Sequence, residues 1–318
     1  MLKTKVLSVG NTCADIVLRH TTSLPRWGEE QFFEASEERL GGQGANVAIA
    51  AARLGTSAFL LSSVGDDDRG RRLRSELETV AGLDCSMLRM ERSETGFTVA
   101  AVRTGGERFF LTYQGHQEMF SLAGAEKALA ILGKGDIVHV SGYFQMPKVA
   151  AGLRGFLSRA KAKGALVTFD PGWSSRELTG AGTESFWKVM ELVDWFFPNE
   201  DELIALAGKS SLAAAAKVVG KRLSGHMVVK RGKNGCAAYE DGRLVAENPA
   251  FRVDVVDSVG AGDAFDAGFL LGVGKGYSVN SCASMGNATA ALAISTAGGA
   301  TKRFPSLSQM KKLAGRLS

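Results

Sequence analysis

Apolar residues fall in short blocks that each close on Gly, Pro, Asp or Asn: "KVLSVG" (5–10), "SAFLLSSVG" (57–65), "DIVHVSG" (136–142), "GALVTFDP" (164–171), "DWFFPN" (194–199) and "GHMVVKRG" (225–232). A block that is apolar at nearly every position suits a strand buried on both faces, whereas alternation marks a sheet with one wet face. Between the blocks, 44–54, 68–81, 121–132, 147–163 and 211–223 carry helix-like sequence. Strands alternating with helices predict an α/β fold, a three-layer sandwich with a central, mostly parallel sheet. Ligands of such sheets gather beyond the carboxyl ends of the strands, where this chain keeps its Gly, Asp and Asn residues.

Two stretches break the alternation. Residues 12–34 and 95–115 ("TGFTVAAVRTGGERFFLTYQG") read as β-segments, the second a hairpin around Thr104-Gly105-Gly106. They predict a small separate sheet, either a lid or a subunit contact; an edge extension of the main sheet is the alternative. Residues 262–317 read as nearly all helical, with a turn at Gly298-Gly299. The expected organisation is one domain over 1–318 with lid segments at about 12–34 and 95–115.

Composition narrows the function classes. With 45% hydrophobic and 22% charged residues the chain is that of an ordinary globular protein. The net charge of +5 suits anionic small molecules, but Lys and Arg are scattered, so no nucleic-acid partner is expected. Cys13, Cys85, Cys236 and Cys282 lie far apart, without metal-ligand spacing, and read as reduced residues of a cytoplasmic protein. No stretch approaches the roughly 18 apolar residues of a membrane span, so no membrane partner is expected either.

The chemistry concentrates in two glycine-rich stretches. In "DSVGAGDAFDAGFL" (257–270), Asp263 follows Gly260-Ala261-Gly262 where an apolar helix begins. A helix start favours an acid, but small residues also leave its N–H groups bare for an approaching anion. In "RLGGQGANVAIAAARLG" (39–55), Gly41, Gly42 and Gly44 precede an Ala-rich helix with Asn46 on its first turn. A dinucleotide fingerprint would need a small residue where Val47 stands. The other reading is close backbone approach to a polar ligand, with Asn46 bonding its hydroxyls. Gly208-Lys209-Ser210 has Leu203 where a P-loop needs Gly.

These two stretches resemble the C- and N-terminal signatures of the ribokinase-like (PfkB) sugar kinases. "SVGNTCAD", "PNEDE" and "VKRGKNG" resemble further motifs of that family, so the likeness runs through essentially the whole chain. It implies a ribokinase-like sandwich with a β-sheet lid, and ATP- and Mg2+-dependent phosphorylation of a hydroxyl, a primary one, on a small sugar. Asp263 would be the general base and Gly260, Ala261 and Gly262 the anion hole. Asp15, Gly41, Gly42, Gln43 and Asn46 would bind the sugar. Asn199, Lys230, Gly232, Gly235 and Asn287 would serve the nucleotide, with Asn199 and Glu202 holding Mg2+ through water. Asp257, with the Gly298-Gly299 turn, would take a monovalent cation such as K+, and the lid would join a homodimer. For Asn199 and Glu202 the plainer reading is a helix start after Pro198, and for Asn287 an ordinary helix-face residue.

The sequence departs from particular members. Gln43 replaces the Lys of "GGKGAN" in ribokinases, "SGYFQMP" replaces a sugar-binding Glu after the mid-chain strand, and the fructokinase-like "GGAPAN" is absent. Tyr143 and Phe144 would stack on a ligand or pack in the core; Arg103 and Arg108 would contact an acidic sugar or stay solvated. A hexose, pentose, sugar acid or nucleoside fits these features. A nucleoside kinase, a non-catalytic sensor and a dinucleotide-dependent oxidoreductase stand as rivals.

Overall fold

The structure, a computed structural model, describes residues 4–21, 23, 25–103, 108–172, 183–296, 298 and 300–315. Along the chain run β1 (Lys5–Gly10), β2 (Cys13–Thr21), β3 (Ala35–Gly41), β4 (Ser57–Gly65), β5 (Leu83–Glu91), β6 (Phe97–Arg103), β7 (Arg108–Tyr113), β8 (Ile137–Ser141), β9 (Leu166–Phe169), β10 (Trp195–Phe196), β11 (His226–Lys230), β12 (Cys236–Glu240) and β13 (Arg243–Asn248).

Nine strands form the central sheet in the order β13-β12-β11-β10-β9-β8-β1-β4-β5. Neighbours from β11 to β5 are parallel, and β12 and β13 add an antiparallel edge. Because successive side chains point to opposite faces, Val6 enters one apolar cluster and Leu7 the other, both fully buried. Helices Gln43–Arg53, Ala261–Gly274 and Val279–Ile294 cover the first face, and Pro147–Ala162 covers the second. This is the ribokinase-like α/β sandwich, as expected. β1 is flanked by β4 on one side and β8 on the other, so the strand order reverses there and opens a crevice beyond its carboxyl end.

A second sheet, β3-β2-β6-β7, stands as the lid. β6 and β7 pair antiparallel, as the hairpin reading requires, while Thr104-Gly105-Gly106 and the side chains of Arg103 and Arg108 lie outside the described residues. Among the described residues of 12–34 only β2 forms a strand; its partner β3 begins at Ala35, beyond the expected boundary. Glu126–Ala130 is shorter than the helix expected over 121–132. β5, β12 and β13 escaped sequence reasoning: β5 mixes Asp, Ser and Arg among its apolar residues, and β13 is largely exposed. Gly299 of the expected C-terminal turn also lies outside the described residues. Tyr143 and Phe144 pack with Phe186, and Tyr143 also with Phe169, which makes them wall material of the second core rather than a stacking platform. Among the described residues no single helix is long and apolar enough to cross a membrane.

Candidate active site

The glycines of 41–44 are filled by the protein itself. A Cβ on Gly44 would come within 2.5 Å of Gly10 Cα, and one on Gly42, at φ +94°, within 2.6 Å of Asn11 O. A side chain on Gly41 would collide with the Asp15 carboxylate. These positions therefore let the start of helix Gln43–Arg53 press against the ends of β1 and β2. That contact sets Asn46 and Asp15 around one crevice. It also leaves no bare glycine cradle for a dinucleotide.

Asn46 reaches from this helix to the signature helix. Its Nδ2 donates to Asp263 Oδ2 at 2.7 Å, on the first turn of helix Ala261–Gly274. Asp263 is buried, and burial together with the nearby Asp170 charge pushes its carboxyl up to about 7 against the pull of the Asn46 bond, Lys230 and Arg303. Gly260 takes the left-handed φ of +75° that opens the helix. Ala261 N donates to Ser258 O at a long 3.4 Å, while the N–H groups of Gly260 and Gly262 have no hydrogen-bond partner among the described residues. A Cβ on Gly262 would lie 3.3 Å from Lys230 Nζ, so the ammonium stands over this helix start.

Lys230 is held in a buried acidic nest. Its Nζ donates to Asp170 Oδ2 at 2.6 Å and to Asp266 Oδ1 at 3.4 Å. Burial alone would lower the ammonium's pKa, but Asp170, Asp266 and Glu202 outweigh it and raise it above the usual lysine range. Glu202, buried beside Asp170, is pushed up to about 7. Neutral His139, lowered to about 4 by burial, stands with Nε2 3.8 Å from Asp266. Asp170, Asp266 and His139 went unnoticed in the sequence. Asp266 belongs to the signature, but its burial could not be read there.

Asn199 and Glu202 make a capping box: Asn199 Oδ1 accepts from Glu202 N at 2.8 Å, and Glu202 Oε2 accepts from Asn199 N at 2.7 Å. The plain helix-start reading therefore holds for both, whatever else they do. Lys230, Gly232, Gly235 and Asn287 line a cavity of about 540 Å³ with Phe251 and Ala291; Asn199 is not in its wall. Asn287 Nδ2 donates to Pro249 O at 3.0 Å and Asn248 O at 3.2 Å, so its amide braces the cavity's edge.

On the other flank of Asp263 lie polar atoms without a hydrogen-bond partner among the described residues. Asn46 Oδ1, Gln43 Oε1 and Gln117 Nε2 are all buried. Asn11 ties them together, accepting from Gln43 N and donating to Gln117 Oε1, both at 3.0 Å. Asp15, half-buried on β2, is pushed up to about 6 by burial against the pull of Arg39 and Arg303. Asp257 is already engaged. Its Oδ2 accepts from Arg39 Nη1 at 2.6 Å and Arg19 Nη2 at 3.3 Å, and its Oδ1 from Val259 N at 2.9 Å. Burial pushes its carboxyl up, but these donors outweigh burial and hold it below the usual range. Asn11, Gln117, Arg39 and Arg303 were missed in the sequence: Asn11 and Arg39 lie inside the quoted stretches "SVGNTCAD" and "RLGGQGANVAIAAARLG" without being singled out, and Gln117 and Arg303 lie in no motif.

A 35% identical relative from Halopiger xanaduensis, matched over 84% of this chain and 83% of its own, is an ATP-dependent ribose-1-phosphate kinase. A 5-dehydro-2-deoxygluconokinase of Shouchella clausii is 26% identical over 97% of this chain and 94% of its own. The Arabidopsis thaliana ribokinase solved with ribose and ATP superposes with a TM-score of 0.82 at 24% identity, over 99% of both chains. The profile of the pfkB family carbohydrate kinases matches residues 3–306, and the chain belongs to that family.

Proposed function

We propose that this carbohydrate kinase moves the γ-phosphoryl group of ATP to a hydroxyl, a primary one, of a small sugar bound over Asp15 and Asn46. One observation carries the reading: a buried carboxyl of pKa about 7, Asp263, lies between the partnerless polar atoms and the nucleotide-sized cavity. Such a group is matched to taking a hydroxyl proton near neutral pH. Asn46 aims the carboxylate, and the sugar's hydroxyls meet the waiting atoms of Asn46 and Gln43. The helix N–H groups and Lys230 face the charge carried by the transferring group.

Asp170, Asp266 and Glu202 gather carboxyl oxygens around Lys230, the ligand type that a divalent cation takes. Mg2+ keeps most of its waters and needs few direct protein ligands. Bound with ATP, Mg2+ neutralises phosphate charge; Glu202 and Asn199 are the residues to hold it through water. At Asp257 the guanidiniums already supply the positive charge a monovalent cation would bring, so exchanging KCl for choline chloride is expected to leave kcat/KM unchanged. The lid joins two chains as a homodimer. The relatives' names span free and phosphorylated sugars, so the acceptor's charge is decided by this chain's own residues.

The direct test is ADP release by the purified protein across a sugar panel. Asp263→Asn is expected to lower kcat by about 10²–10⁴. A variant as active as the parent on its best substrate removes Asp263 from the base role.

A further inference from the structure

Two arginines crowd the sugar side of Asp263, and the phosphoryl transfer described above gives neither a part in holding the acceptor. Arg39 stands directly opposite Asp15 in the β2–β3 pairing, so the two side chains share one face of the lid sheet. Arg303 comes from the short helix Ala300–Arg303. A side chain on Gly260 would collide with its Nη2, and the same Cβ would lie 3.3 Å from Asn46 Nδ2. Arg303 is therefore beside the amide that holds the base. The arginine side chains are only 3% and 2% exposed. Arg39 Nη2 and Arg303 Nε and Nη1 nonetheless have no hydrogen-bond partner among the described residues. A guanidinium keeps its charge when buried, so these donors stay aimed and positive. Neither arginine is in the wall of the nucleotide cavity.

We infer that Arg39 and Arg303 form an anion subsite for the acceptor, and that the sugar this kinase phosphorylates already carries a phosphate monoester. Arg19, Arg39 and Arg303 converge on the Asp257 carboxylate, while Glu37 lies 3.6 Å from Arg19 and 3.9 Å from Arg39 and Asp15 faces Arg39 and Arg303, so what stays open at the arginines is their unpartnered N–H groups rather than surplus charge. A phosphate monoester suits those open donors, because its three outer oxygens can accept from N–H groups arriving along two directions. The inference rests on the kinase reading only for where the acceptor lies.

The test compares ADP release on ribose, ribose 1-phosphate, ribose 5-phosphate, fructose, fructose 1-phosphate, fructose 6-phosphate and gluconate. At least one ester is expected to exceed its free sugar about 100-fold in kcat/KM, the order of one lost charge-assisted pair. That preference is expected to shrink at least about tenfold in Arg39→Gln and Arg303→Gln, mainly through KM, and to return in part with Lys. A free sugar or gluconate that equals or beats every ester overturns the inference, as do variants that slow ester and free sugar alike. The parent's own preference decides the matter if a variant fails to fold. Calorimetry on Asp263→Asn separates the two claims. Ester binding with normal turnover refutes the base and keeps the subsite. Turnover of free sugars alone by the parent, with no ester bound by the variant and no turnover by it, refutes the subsite and keeps the base.

Discussion

Asp263 carries a cost that its chemistry explains. An exposed Asp titrates near 4, but burial and the Asp170 charge bring this one to about 7. The folded state thus holds a proton that the unfolded chain has released. Its contribution to stability is complete below about pH 4 and is lost as pH rises through 7. Asp263→Asn keeps an oxygen for the Asn46 amide and removes the titration. At pH 8 the variant is expected to be more stable than the parent, by at most about 4 kcal/mol, and to melt several degrees higher by scanning calorimetry. The parent's kcat/KM is expected to fall about tenfold per pH unit below 7, because only the ionised carboxylate accepts a proton. A variant that melts no higher at pH 8 would show that this carboxyl is not held in a desolvated site.

Among the elements, the turn at Asn199 does two jobs with one pair of side chains. Its capping box starts helix Glu200–Ala207, and Glu202 also adds a buried carboxyl to the nest around Lys230. Glu202→Gln separates them, since Gln serves in a capping box but carries no charge. The variant is expected to melt within about 2 °C of the parent at pH 6 while needing more Mg2+ for half-maximal rate. Asn199→Ala, which breaks the box, is expected to cost about 1 kcal/mol. An unchanged Mg2+ requirement in Glu202→Gln leaves the pair with the helix start alone. The same elements divide what the sequence disclosed from what it hid. Glycine turns, helix starts and fully apolar strands are local chemistry, and Asp263, Asn46 and the parallel sheet were legible from them. Arg39 meets Asp257 across 218 positions. It reads as one more charge in "ASEERLG" until the β2–β3 register sets it opposite Asp15. Asp170 was visible only as the residue closing a strand, and its pairing with Lys230 exists only once β9, β10 and β11 lie side by side.

For the whole molecule, the lid sets the terms. Its sheet carries Asp15 on β2 and Arg39 on β3, so the acceptor's contacts depend on where this sheet stands over the crevice. Nearby, the link from β2 to β3 leaves Trp27 fully exposed and Phe32 77% exposed, and β7 leaves Leu111 60% exposed. Apolar groups of this size left exposed on the lid sheet and its β2–β3 link favour a protein partner over water. A second lid is the partner a homodimer provides. Light scattering is expected to give twice the chain mass of 33.6 kDa. Phe32→Glu combined with Leu111→Glu is expected to yield monomers, because facing charges oppose desolvation of the contact. Both side chains are largely exposed and neither is among the crevice residues named above, so the chemistry of Asp263 is expected to survive the change. A lid without its partner is less firmly placed, and the loss should appear as a several-fold rise in the sugar KM with kcat little altered. A monomeric parent, or a dimer that survives both substitutions with its KM unchanged, would put the subunit contact elsewhere and leave the lid's position to its own hinge.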